Sequence, residues 1–93
     1  MDLKTNPTRV RTLREMAQMA LAVQDACNLS SVVHSFSEVM ADLGRHPECT
    51  GTDWKNRHPI AVMFASKIAS LTGCENVGNF SIAYQRCCGL VES

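Results

Sequence analysis

The chain has no excess of charge of either sign. Nine Lys plus Arg stand against nine Asp plus Glu, so no global field draws the protein toward nucleic acid or a membrane surface. It has no run of about eighteen apolar residues, which argues against a transmembrane helix. Its start, MDLKTNPTRVRTLREM, lacks the continuous apolar core of a secretory signal. Its five cysteines, Cys27, Cys49, Cys74, Cys87 and Cys88, are odd in number and without framework spacing, which reads as reduced thiols in a cytosolic protein. No glycine-rich loop is present to cradle a phosphate, since Gly44, Gly51, Gly73, Gly78 and Gly89 are scattered and read as helix stops. Internal repeats, low-complexity segments and alternating strand patterns are also missing.

What is there is a chain of 93 residues with 45% hydrophobic and 19% charged residues, a globular rather than disordered composition. That length makes residues 1–93 a single domain, with a stability of about 5–10 kcal/mol. The β-branched residues fall in helical spacing, so the expected fold is all-α, a small bundle of about four helices with one long loop between helices 2 and 3.

The first helix is expected to be capped by Thr5 or Asn6, with Pro7 in its first turn. Val10, Leu13, Ala17, Ala20, Val23 or Gln24, and Cys27 form its stripe, and Asn28 ends it. Asn28 or Ser30 then caps a second helix with Val32, Val33, Phe36, Val39, Met40 and Leu43 on one face, stopped by Gly44. Pro59 suits the first position of a third helix, whose broad face of Ile60, Ala61, Phe64, Ala65, Ile68 and Leu71 marks it as the most buried, and Gly73 ends it. A fourth helix follows Asn76 or Asn79, with Phe80, Ala83, Tyr84, Cys87 and Cys88 inward and Gly89 closing it. Met16, Met19, Met40 and Met63 read as core filling, and an exposed subset of them would favour a homodimer.

The unusual stretch is the polar run Gly51-Thr52-Asp53-Trp54-Lys55-Asn56-Arg57-His58 directly before Pro59. It holds the only tryptophan where a plain connector would carry Ser and Gly. If exposed, Trp54 flanked by Asp53, Lys55 and Arg57 is a partner-binding hot spot, because aromatic and arginine anchors dominate interface energies. If buried, Trp54 plugs one end of the bundle. His46, Cys49 and His58 raise the question of zinc, but no pair of Cys-x-x-Cys motifs completes a ligand set. Cys49, His58 and Asp53 contain a nucleophile, a base and an orienting group on paper only, as would any loop with these residue types. No catalytic residue, metal ligand or cofactor is therefore assigned. Arg9, Arg11 and Arg14 sit near the positive end of the first helix dipole and are candidates for binding an anion. Specific DNA recognition ranks below protein binding, since neither the second nor the third helix is arginine-rich.

At DACNLSSVVHSFSEVM and GTDWKNRHPIAVMFASKIASLTGC the chain resembles a group of short helical proteins from bacterial genomes, phages and other mobile elements. The resemblance spans about residues 16 to 88. It implies cytoplasmic action in a bacterial host cell and, from the habits of proteins of this size and setting, steric blocking of a host protein or ribonucleoprotein complex, as anti-CRISPR proteins do. It transfers no functional residue. The expected function is a non-enzymatic interaction module using Asp53, Trp54, Lys55 and Arg57. The alternative is a small nucleic-acid-associated regulator using the basic first helix.

Overall fold

The computed structural model describes residues 10–51, 53–74 and 79–92. All regular structure among them is helical: α1 (Leu13–Ala22), a 3-10 turn (Val23–Asp25), α2 (Leu29–Leu43), the short α3 (Trp54–Arg57), α4 (Pro59–Thr72) and α5 (Phe80–Glu92). The all-α expectation is met, and the long connection after α2 carries a short helix of its own.

Local caps decide where these helices begin. Thr12 and Glu15 form a capping box, in which the Glu15 amide donates to Thr12 Oγ1 at 3.1 Å and the Thr12 amide donates to Glu15 Oε1 at 2.9 Å. α1 therefore starts at Leu13, and Val10 precedes it instead of joining its stripe. The expected caps Thr5 and Asn6, with Pro7, lie outside the described residues. The far end of α1 tightens into the 3-10 turn, which leaves Cys27 exposed. Asn28 caps α2, its Oδ1 accepting from the Ser31 amide at 3.1 Å, so it opens the second helix as well as closing the approach to it.

Core packing is organised around α4, which contacts α1, α2, α3 and α5. Ile60, Ala61, Met63 and Phe64 are almost wholly buried on it, and the Phe64 ring stacks obliquely on Phe36 of α2 with centroids 5.6 Å apart. Met16 and Met63 are fully buried, while Met19 and Met40 pack against the same core. None of the four is exposed. The sequence pattern errs at the edges of the apolar stripes: Val33, Ala65 and Tyr84 are exposed, whereas Ser66 is buried.

Two helix ends show different uses of glycine. Gly73 ends α4 in the left-handed region (φ 84°), where a side chain is strained. Gly89 does not end its helix. It lies within α5, which continues to Glu92 because Leu90 and Val91 pack against the core.

At 0% exposure in the centre of this arrangement, Phe64 is the side chain whose truncation costs most. Phe64→Ala is expected to lower the unfolding free energy by about 3–5 kcal/mol, read from the midpoint of urea denaturation.

Candidate interaction cleft at the start of α4

Between α2 and α4 the described residues are held by a series of short-range backbone hydrogen bonds. The amides of Arg45, His46 and Cys49 donate to the carbonyls of Asp42, Leu43 and His46 at 2.9–3.0 Å. Gly51 then turns the chain at φ 84°. One turn of α3 follows, and the His58 amide closes it by donating to the Trp54 carbonyl at 2.8 Å.

His58 is extended (φ −66°, ψ 131°), as a residue before proline prefers, and is the N-cap of α4. Its ring, 7% exposed, is used at both nitrogens. Nδ1 accepts from the Ile60 amide at 3.3 Å, and Nε2–H donates to Glu48 Oε1 at 3.3 Å. A ring that accepts at Nδ1 is neutral there. Burial pushes the His58 pKa below its ordinary value; the Glu48 hydrogen bond and charge oppose this, and the nearby His46 and Arg86 add to the lowering.

Trp54 lies between the buried and the exposed placement. It is half-buried and packs against the core, with indole Cζ2 within 3.4 Å of where a β-carbon on Gly44 would stand. The rest of the ring borders an open cleft of about 520 Å³ between the α3–α4 junction and α5. The Lys55 ammonium lies 5.9 Å from the ring centroid. Asp53 and Arg57 line the same cleft and form an exposed ion pair at 3.6 Å, weak at such a site. Asp53, Trp54 and Arg57 thus meet in one place, with Lys55 at its margin.

The far wall comes from α5: Arg86, Gly89 and Leu90. Sequence reasoning missed all three as site residues. No local pattern links them to Trp54, and Gly89 had the look of a helix stop. Its position inside α5, next to a cleft, is the signal that becomes readable once the helix is seen to continue.

The same geometry places the other candidate residues. His46 Nε2 donates to the Arg11 carbonyl at 3.1 Å, and both His58 nitrogens are occupied by Ile60 and Glu48. Among the described residues no cluster of three or more His, Cys, Asp or Glu is arranged to hold a metal ion. Asp53 pairs with Arg57, and His58 faces Glu48. Burial, and then Glu48, raise the Cys49 thiol; burial, and then Cys88, push Cys87 to about 12. Neither is a ready thiolate.

Arg11 is engaged within the molecule. Its guanidinium pairs with Asp42 at 2.9 Å and Glu38 at 3.2 Å, and its amide donates to Asp42 at 3.2 Å. Burial alone would raise the Asp42 carboxyl, but the hydrogen bonds and charge of Arg11, with Arg45, hold it below the usual range. Arg14 is exposed, and Arg9 lies outside the described residues.

No protein-family model, no curated protein and no solved structure matches the chain.

The placement of His58 makes stability depend on pH in a defined window. Above about 6.5, the ordinary imidazole value, His58 is neutral both folded and unfolded. Below it the unfolded chain takes up the proton first, so stability falls with pH until the lowered folded pKa is passed. Asp42 acts lower down, its contribution being lost only as pH falls through its depressed folded value. The melting temperature is expected to drop between about pH 7.5 and 5.5. In His58→Asn, which keeps an N-cap acceptor without a titrating ring, that drop should flatten. Melting curves across the range check both.

Proposed function

We propose that this protein is a non-enzymatic interaction module that engages a host protein or ribonucleoprotein complex through the cleft bounded by Trp54, Arg57, Arg86 and Leu90, and acts by steric occlusion. The observation that carries the reading is Gly89. A glycine inside a helix costs about 1 kcal/mol relative to alanine, and among the described residues a β-carbon at Gly89 would meet nothing within 4 Å. Its effect is to keep the wall low between Arg86 and Leu90, opposite the indole. Local stability given up beside a cleft is what a surface shaped for close approach of a partner shows.

The surrounding chemistry favours recognition over turnover. A partly exposed tryptophan beside arginines is the combination that anchors protein interfaces, whereas burial raises the Cys49 and Cys87 thiols and so favours their protonated form. The nucleic-acid alternative draws less support, because Arg11 is already paired with two carboxylates. Among the described residues no helix is long and apolar enough to cross a membrane. A host defence complex as the blocked partner, of the anti-CRISPR kind, is what the sequence resemblance adds.

Two substitutions at one position test this. Gly89→Ala should raise the unfolding free energy by about 0.5–1 kcal/mol, read by denaturant titration. Gly89→Leu should fold, fill the cleft and lose the partner. Affinity capture from bacterial lysate is expected to recover a stoichiometric partner with the wild type and not with Gly89→Leu. Equal recovery by both, or recovery of no partner by the wild type, would count against the proposal.

A further inference from the structure

The charges around the cleft are unevenly engaged. Asp53 is paired with Arg57, and Glu48 faces His58. Arg86 is different: no carboxylate among the described residues lies within ion-pairing distance of it, although Arg11 of the same chain holds two. A guanidinium presents five donors in a rigid fork matched to a carboxylate, and this one borders a concave surface.

Arg86 also borders a second cleft, of about 360 Å³, on the other side of the same ridge, and Arg57 and Pro59 are shared between the two. Together they form a track across the α4 start and α5. Both ends mix polar with apolar groups: Trp54 and Leu90 stand at one with Thr50 and Asp53, and Val62 and Ile82 at the other with Asn56 and Asn79, and Ile82 is 51% exposed. A guanidinium between two apolar contacts, Trp54 with Leu90 and Val62 with Ile82, suits an extended segment with an acidic residue flanked by apolar ones. Glu48 and Asp53 stand in the same cleft and oppose any anion, so a segment that brings a single carboxylate to Arg86 suits the track better than a backbone that brings a charge at every phosphate.

Resting on the interaction reading above, we infer that the track takes an acidic peptide segment of the partner, with a carboxylate on the Arg86 guanidinium and a neighbouring apolar side chain against Trp54 and Leu90. Arg86 supplies the charge selectivity and Trp54 the apolar anchor.

Trp54 is the only tryptophan, so its fluorescence reports occupancy of the track directly. The probes are a short capped peptide with Glu flanked by Leu, the same peptide with Gln for Glu, and oligothymidylate. The Glu peptide should give a saturable change in the full chain, the Gln peptide should bind about tenfold more weakly, and Arg86→Gln, with unchanged circular dichroism, should remove that preference. Equal binding of the Glu and Gln peptides, no saturable change, or tighter binding of oligothymidylate would each overturn the inference. So would a partner captured through the cleft whose affinity ignores Arg86→Gln, and that result would leave the interaction reading standing. Recovery of no partner at all removes the interaction reading itself.

Discussion

The architecture turns on one buried imidazole. α4 is the helix that the rest of the bundle packs around, and its first turn begins on His58, which is nearly inaccessible to solvent. A buried polar ring is tolerated only if its nitrogens are satisfied. Here one nitrogen takes the orphan amide of Ile60 and the other reaches Glu48. The first bond caps α4, and the second ties the irregular segment behind α2 to it. The residue therefore closes α3, starts α4 and anchors the loop at once, and Trp54, Arg57 and Pro59 take their places in the cleft from that junction.

That junction lets a small domain keep an aromatic side chain partly exposed without losing its core. The indole rests one edge on the end of α2 at Gly44 and leaves the remainder facing α5. Gly89 keeps the opposite wall low at a cost in helix propensity. Trp54, an arginine with no ion-pairing carboxylate among the described residues and a glycine inside α5 meet at one cleft, while burial raises the Cys49 and Cys87 thiols. It is this convergence on which the proposed contact surface rests.

Much of the fold was legible in the chain because caps are local. Asn28 to Gly44 and His58–Pro59 to Gly73 bracket α2 and α4 as the spacing implies. The errors have physical causes. The apolar pattern runs upstream through Val10, but the capping box at Thr12 and Glu15 decides the start of α1. Gly89 resembles a stop, but Leu90 and Val91 find core contacts that draw α5 onward, a tertiary override of propensity. The near wall of the cleft, Asp53, Trp54 and Arg57, is contiguous in sequence and so could be singled out. The far wall comes from a helix about thirty residues later, and nothing in spacing or composition announces which face of α5 meets the loop.

The most direct test of this organisation is the protonation and tautomer of His58, read from its ring nitrogens by long-range nitrogen-15 NMR at about pH 7. A neutral ring with the proton on Nε2 and an accepting Nδ1 is the state in which the imidazole caps α4 and holds Glu48. An imidazolium, or a proton on Nδ1, would mean that the α4 start is held in some other way, and the account of the cleft built on it would fall.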